Sequence, residues 1–409
     1  MKLNDICELI VDCPHSTAKD EGNGYPLIRT PNIGRGRLIL DDVHRVSKEV
    51  YDKRNARAVP QDDDLILARE APAGNVAIIK NGEKVCLGQR TVLIRPDKKK
   101  VYPDFLAYYI LAPEQQYELL GTANGATVAH VNIPVIKALP VELPEMGQQK
   151  KAAGILKAYD DLIENNQRQI KLLEEAAQRL YKEWIVDLRF PGHEDVKIVD
   201  GIPEGWKKVS VNESLALHMN GGWGKENPTG NNTHPGRVIR GTDINDIKNG
   251  KFNDVPLRYH SDNDVSKRCL QKGDIVFELS NGNINNIGRS LLIDDLILDN
   301  CGKNTICASF CKMFRPINRL YGLCLYWEIQ EMQLDGRMMP FKKQGANGIN
   351  NFAFEDFLEH QFLVPNTDAL LEPLENIMNE MSNIQRRFAL LTEARDRLLP
   401  KLLSGEIEL

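Results

Sequence analysis

The sequence predicts an α/β fold of the mixed α+β kind. Two similar modules are each followed by a long helix, the two helices pair as an antiparallel coiled coil, and the halves form a pseudo-two-fold internal repeat. Three observations predict it. The chain repeats itself, its apolar segments outside the helices are short and punctuated, and two long stretches carry an apolar stripe at helical spacing.

The repeat is read from matched pairs in constant order. Ile28-Arg29 matches Ile239-Arg240, and Asp64-Leu65-Ile66-Leu67 matches Asp274-Ile275-Val276-Phe277. Cys86 is paired with Cys301, Arg95-Pro96 with Arg315-Pro316, and Ala123-Asn124-Gly125 with Ala346-Asn347-Gly348. The helical segment opening Gln167-Arg168-Gln169-Ile170 is echoed by Gln385-Arg386-Arg387-Phe388. The offset drifts between about 208 and 223 residues, as loop insertions in a duplicated unit would leave it. Two similar modules in one chain point to a task with two similar halves.

The first module is expected over residues 1–144. Residues 65–68, 76–79 and 91–95 are β-rich, with Gly, Pro, Asn and Asp between them. Residues 103–120 predict a helix, with Phe105, Tyr108, Tyr109 and Leu111 for the core. Asp104 sits in its first turn, where a carboxylate favours the helix dipole. The spacing lacks the regular β-α-β alternation of a doubly wound sheet.

Pro140, Pro144 and Gly147 end this pattern, and 145–190 predicts a long central helix. Ile155, Tyr159 and Leu162, then Ile170, Leu173, Ala177, Leu180 and Trp184, make a near-heptad stripe that slips once at Asn166. A helix of such length, on the order of 54 Å, has to bury its stripe against something. Residues 191–206 form a connector, and 207–365 the second module, with longer loops rich in Asn and Gly. The closing helix, within 366–409, carries Leu374, Ile377, Met381, Ile384, Phe388, Leu391, Leu398 and Leu402, broken by Arg395. Each stripe is the natural partner of the other, because one chain holds both at high effective concentration. A dimer between chains would satisfy the same stripes. Leu173, Leu180, Phe388, Leu391 and Leu398 are expected to be buried.

The bulk numbers narrow the class. The chain has 409 residues and a net charge of −5, which counts against holding nucleic acid by bulk charge alone. Residues 29–57 nevertheless gather Arg29, Arg35, Arg37, Arg45, Lys48, Lys53, Arg54 and Arg57 against few acids. No apolar run approaches the ~18 residues that span a membrane. Met1-Lys2-Leu3-Asn4-Asp5 lacks a signal-peptide pattern, so a cytoplasmic location is expected. The cysteines, at 7, 13, 86, 269, 301, 307, 311 and 324, include no Cys-x-x-Cys pair and read as buried thiols.

Chemistry is sparse. There is no phosphate-binding Gly-x-x-x-x-Gly-Lys-Ser/Thr loop, no His-Glu-x-x-His helix and no Gly-x-Ser-x-Gly elbow. No Asn/Asp-Pro-Pro-Tyr/Phe segment of an amino-methyltransferase is present. Glu194-Asp195-Val196-Lys197 has a nuclease-like ending but no upstream acidic strand, and His15, His130 and His360 are scattered. The pattern favours recognition and assembly over catalysis.

Four stretches carry a resemblance. They are Leu143-Pro144-Glu145-Met146-Gly147-Gln148-Gln149-Lys150, the run from Leu180-Tyr181-Lys182-Glu183-Trp184 to Phe190-Pro191-Gly192-His193, Ile202-Pro203-Glu204-Gly205-Trp206, and Leu398-Leu399-Pro400-Lys401-Leu402-Leu403-Ser404-Gly405-Glu406-Ile407. With the order module, helix, module, helix, the chain resembles the specificity subunit of a type I DNA restriction–modification enzyme.

The resemblance implies a non-catalytic DNA-recognition subunit. Its two modules would be target-recognition domains that each read half of a split site on double-stranded DNA, with the helices as a ruler between them. The helices would also dock two modification subunits, which methylate adenine, and restriction/translocase subunits would join through the complex. No cofactor would belong to this chain: S-adenosylmethionine, ATP and Mg would be held by those partners. No membrane partner is implied.

Base reading needs side chains that reach groove edges: Arg for guanine, Asn or Gln for adenine, Asp or Glu for cytosine. The first-module candidates are Arg29, Thr30, Asn32, Arg69, Gln89, Arg90 and Asn124. The second-module candidates are Arg240, Thr242, Asp243, Ser280, Asn281, Asn283, Lys303, Asn304, Lys342, Lys343 and Asn347. Gln89-Arg90 and Lys303-Asn304 are taken as matching loops, from the pairing of Cys86 with Cys301. Two other readings stay open at this point: a two-lobed assembly scaffold that never touches DNA, and a nuclease or methylase with an unfamiliar site.

Overall fold

The computed structural model describes residues 1–121, 130–345 and 348–407. The chain divides into two compact units, 1–162 with 391–409, and 163–390.

In the first unit the main sheet has the order Cys7–Asp12, Thr91–Pro96, Leu65–Ala68, Val76–Ile78, Gly36–Arg37. Leu65, Leu67, Val76, Val92 and Ile94 pack on one side with the helix Pro103–Leu111. Ile66, Ala68, Ala77 and Leu93 pack on the other with Ile28, Ile33 and Leu87. Both faces are covered, which is why Leu65-Ile66-Leu67-Ala68 reads as a continuous apolar run without alternation. A second sheet joins Arg45–Val46, Tyr25–Ile28 and Cys86–Leu87, the last two parallel, with Leu27 opposite Cys86 and Ile28 opposite Leu87. The helix expected over 103–120 is two helices, Pro103–Leu111 and Pro113–Leu120. Ala112 between them is extended, as the residue before a proline must be. Phe105, Tyr108, Tyr109 and Leu111 are buried as the sequence predicts.

In the second unit the main sheet has the order Leu215–Asn220, Cys311–Pro316, Ile275–Glu278, Ser290–Leu292. Its register matches the first. Cys7 faces Pro96 and, after a bulge, Leu9 faces Arg95; Leu215 faces Pro316 and, after a bulge, Leu217 faces Arg315. Leu65 faces Ile94, and Ile275 faces Phe314. His234–Ile239 runs parallel to Ile306–Cys307, with Val238 opposite Ile306 and Ile239 opposite Cys307. This register corrects the pairing of Cys86 with Cys301. Cys86 stands where Ile306 stands, and Leu87 where Cys307 stands, while Cys301 ends the helix Asp295–Cys301. An insertion between the Asp274 strand and the paired strand moved the true partner further along the chain than the local match suggested.

One buried ion pair recurs. Arg95 forks onto Asp64 at 2.8 and 2.7 Å, and Arg315 onto Asp274 at 2.8 and 2.7 Å. Each carboxylate is 2% exposed and also accepts a backbone N–H, from Gln61 and Gln271 respectively. The satisfied fork explains why Asp64 and Arg95 repeat as Asp274 and Arg315. The cores differ: Phe277 and Phe314 take the places of Leu67 and Ile94, and stack at 5.1 Å beside Phe352 and Phe357.

The long helices are Met146–Tyr181 and Glu372–Leu403. Within the first unit Ala152, Ala153 and Leu156 share a core with Leu399, Leu402 and Leu403. There Arg395, the break in the second stripe, reaches Asp160 at 2.9 Å. Within the second unit Ala177 and Tyr181 share a core with Leu371 and Leu374. The buried line on the first helix is Leu156, Ile163, Ile170 and Ala177, a strict heptad, with Asn166 also buried. Leu162 is 51% exposed, so the face is rotated by one residue from the one expected at that end. Of the five stripe residues expected to be buried, Phe388 is, while Leu173, Leu180, Leu391 and Leu398 are half-buried.

Candidate nucleic-acid interface

In the first unit a tight turn links Cys86–Leu87 to Thr91–Pro96. The Gly88 N–H donates to the Ile28 carbonyl at 2.7 Å, and a Cβ at Gly88 would meet that same oxygen at 2.7 Å, so the position requires glycine. Thr91 closes the turn by donating its hydroxyl to the Gly88 carbonyl. Gln89 donates its side-chain amide to the His15 carbonyl at 2.8 Å. Arg90, in the left-handed region at φ 64°, projects a side chain that is 58% exposed, with its Nε 2.8 Å from Glu70.

Behind Arg90 lies a polar network. Arg69 donates to the Val131 carbonyl at 2.8 Å, pairs with Asp12 at 3.0 Å and touches His130 Nε2 at 2.7 Å. The other ring nitrogen of His130 lies 2.5 Å from Glu70. Since the guanidinium only donates, His130 Nε2 accepts and its Nδ1–H donates to Glu70. His15 meets Asp12 at 3.1 Å. Arg69 is therefore a buried strut, and Arg90 is the cation presented outward. Asn32 caps the turn after Ile28: it accepts the Arg29 N–H at 3.1 Å and donates to the Ile39 carbonyl at 3.2 Å. Thr30 and Asn32 are buried in that turn, and Arg29 flanks Gly88. Asn124 lies outside the described residues.

In the second unit Asp243 plays the cap that Asn32 plays in the first, accepting the Arg240 N–H at 2.8 Å. It also takes the Arg240 guanidinium in a fork at 2.9 and 2.6 Å, so this pair is closed on itself, and Thr242 is exposed beside it. A small three-stranded sheet gathers Ser280–Asn281, Asn350–Phe352 and Lys342–Lys343. Ser280 donates to Asn351 at 2.8 Å, and Asn281 donates to the buried Glu278 at 2.7 Å. Asn283 accepts the Asn285 N–H. Lys342 reaches Gln333 at 3.1 Å, and burial holds its amine below the usual range. Lys343 is exposed and meets Asp356 at 3.4 Å. Ser280, Asn281, Asn283, Lys342 and Lys343 thus come together, while Asn347 lies outside the described residues.

Lys303 and Asn304 sit elsewhere. The Lys303 carbonyl accepts the Cys269 thiol, and Asn304 donates to the Pro235 carbonyl. The turn that matches Gln89-Arg90 is Ser309-Phe310: the Arg69 N–H donates to the Arg90 carbonyl at 2.8 Å, and the Leu279 N–H to the Phe310 carbonyl at 2.9 Å. The expected equivalence of Lys303 with Arg90 fails because it was inherited from the Cys86–Cys301 match. The offset of the Arg-Pro pair, carried back along the strand, leads from Arg90 to Phe310 instead. Asp12, Glu70 and His130, and Asn350 and Asn351, were also missed, since their partners are remote in sequence.

Among the described residues no group of three or more His, Cys, Asp or Glu is placed to hold a metal ion, and no helix is long and apolar enough to cross a membrane. The eight cysteines are free. Burial pushes the Cys301 thiol up to about 11 and that of Cys307 up to about 12, far from thiolate chemistry.

Residues 1–175 match the family described as type I restriction modification DNA specificity domain. The chain is 24% identical over 424 residues to the type I restriction enzyme MjaIX specificity subunit of Methanocaldococcus jannaschii, covering 99% of this chain and 92% of that protein. It is 21% identical over 272 residues to the EcoKI specificity subunit of Escherichia coli, covering 64% of this chain and 56% of that one. In fold it is similar to the S subunit of a type I restriction–modification system from M. genitalium, with a TM-score of 0.52 at 15% identity, over 98% of this chain and 95% of that one. Over nearly its whole length the chain is thus similar to specificity subunits of type I restriction–modification systems.

Proposed function

We propose that this chain reads a bipartite target on double-stranded DNA, one half-site per module, and scaffolds two adenine-methyltransferase subunits and, through them, the restriction subunits. The modules are residues 1–144 and 207–365, an internal repeat, and the long helices pair antiparallel to set the distance between half-sites. The observation that carries the reading is the matched register. Both units hold the same bulge, the same parallel strand pair and the same buried Asp–Arg fork, yet their outward turns and loops differ in chemistry. A common frame with different polar tips is what two readers of different sequences need.

Of the candidate residues, Gln89, Arg90, Asn281, Asn283 and Lys343 are the best placed to face DNA. Arg69, Asn32 and Asp243 act by holding the turns that present them. Scaffolding has its own support. Leu172 and Ala176 make a short exposed apolar stripe on the first long helix, off its buried line, with Leu172 56% exposed, and Leu180 and Trp184 continue it half-buried against the second unit's core. Such a stripe fits a protein partner. S-adenosylmethionine, ATP and Mg would belong to the partner subunits.

The test is an exchange. Residues 1–144 are replaced by the same region of a relative, and modified adenines are mapped across the genome of cells expressing the complex. One half-site should change and the other stay. A change in both, or in neither, overturns the two-reader model.

A further inference from the structure

We propose that the tip of the turn before the last main-sheet strand is a specificity-determining position in both units, with opposite chemistry: Arg90 meets a guanine edge, and Phe310 packs on the 5-methyl group of a thymine. This rests on the DNA-reading function proposed above.

The two positions share their backbone hydrogen-bond partners, although Arg90 is left-handed at φ 64° and Phe310 is not. The Gly88 N–H donates to the Ile28 carbonyl at 2.7 Å, and the Ala308 N–H to the Ile239 carbonyl at 2.8 Å. The Arg90 carbonyl accepts the Arg69 N–H at 2.8 Å, and the Phe310 carbonyl accepts the Leu279 N–H at 2.9 Å. One residue on, the Thr91 carbonyl accepts the Cys13 N–H, and the Cys311 carbonyl accepts the Gly221 N–H. Three matched backbone bonds hold each tip, so the side chain is presented from a rigid base, as a reading residue needs.

The side chains then diverge. Arg90 is outward and is steadied by Glu70, itself held by His130, which leaves a planar fork with donors for guanine O6 and N7. Phe310 is 60% exposed. A single exposed apolar side chain is ordinary on a protein surface. Phe310 differs in standing at the matched tip, and the residue matching Glu70 is Ser280, which turns to Asn351 instead of toward a cation. Around it Ser280, Asn281, Asn350 and Asn351 form an amide-rich surface, with Lys343 paired opposite Asn351 at its far edge. Amides suit adenine, and an apolar ring suits the thymine methyl, so the second unit's tip is built for an A·T-rich half-site.

The full chain, assembled with its modification subunits, is used to select duplexes from a randomised pool, which supplies the two half-sites. Each thymine of the second half-site is then replaced by uracil, which removes only the methyl group. One replacement should weaken binding about four-fold, the ~0.8 kcal/mol of one buried methyl group, and should cost nothing further in Phe310→Ala. Phe310→Leu should keep the methyl effect. Phe310→Arg should shift that position toward guanine, and Arg90→Phe should do the reverse in the first half-site. Uracil effects unchanged in Phe310→Ala, or a Phe310→Ala loss equal for all duplexes, overturn the thymine contact while enriched half-sites leave the DNA-reading function standing. First-half-site preferences unchanged in Arg90→Phe overturn the guanine contact in the same way. A pool with no enriched duplex overturns the DNA-reading function and this inference with it.

Discussion

The first unit builds its sheet core from Leu67, Val92 and Ile94; the second puts Phe277, Lys312 and Phe314 at the same three places. The backbone register is unchanged. The second unit accommodates the larger rings with Phe352 and Phe357, and Lys312 lays its amine over the Phe354 ring at 3.7 Å. Burial holds that amine below the usual lysine range. What stays identical is the Asp–Arg fork. Pairing register and a buried, fully satisfied polar pair define this module, while side-chain volume is free to change when its neighbours change with it.

The largest effects should come from the shared fork. Asp64→Ala and Asp274→Ala each strand a largely buried guanidinium, and each should cost about 3–5 kcal/mol in denaturant unfolding. Comparable losses sharpen the equivalence of the units; a neutral substitution in either one breaks it. The differing cores come next. Leu67→Phe, which puts the second unit's residue into the first without its aromatic neighbours, should overpack and cost about 1–3 kcal/mol. No loss would mean that the two cores are looser than their burial indicates.

The outward surfaces follow. Gln89→Ala should remove about 1–3 kcal/mol of discrimination at one base pair of the first half-site and leave the second untouched. Lowered melting with unchanged discrimination would assign Gln89 to its His15 contact alone. Lys343→Ala should weaken all duplexes alike and lower the slope of log affinity against log salt by about 1, the mark of a phosphate contact. A base-selective loss there would place Lys343 among the readers.

The smallest expected effect is in acid. Burial works against the charge of Glu328, but His360 and Arg337 hold its carboxyl below the usual 4.5. Between that lowered value and 4.5 the folded state binds fewer protons than the unfolded one, so stability is present above 4.5 and is lost as pH falls through the folded value. Glu328→Gln should flatten that acid limb of an unfolding-midpoint series. An unchanged acid limb would show that the ion pairs do not hold the carboxyl down.

Much was legible in the sequence, and the failures have a common form. The Asp64 and Asp274 strands and the Arg-Pro pairs matched because a buried fork tolerates no substitute for either partner. Cys86 was misassigned because a lone buried thiol is interchangeable with any small apolar residue: its place holds Ile306. In the first long helix Ile155-Leu156 and Leu162-Ile163 put apolar residues on adjacent faces, so spacing alone did not separate them, and packing buried Leu156 and Ile163.

The matched segments in constant order, the two long helices and the kind of residue available at each turn were legible in the sequence, because periodicity and local spacing need no knowledge of distant contacts. Only the tertiary structure decided which polar residues are occupied. Arg69 is bound to Asp12, Val131 and His130, partners at least 57 residues away in the chain, and Asn32 and Asp243 are spent on capping. Arg90 and Phe310 became equivalent only when strand pairing brought Arg69 and Leu279 against them. A side chain's chemistry is written in the sequence, but whether it is free to meet a partner depends on hydrogen bonds that close across the fold.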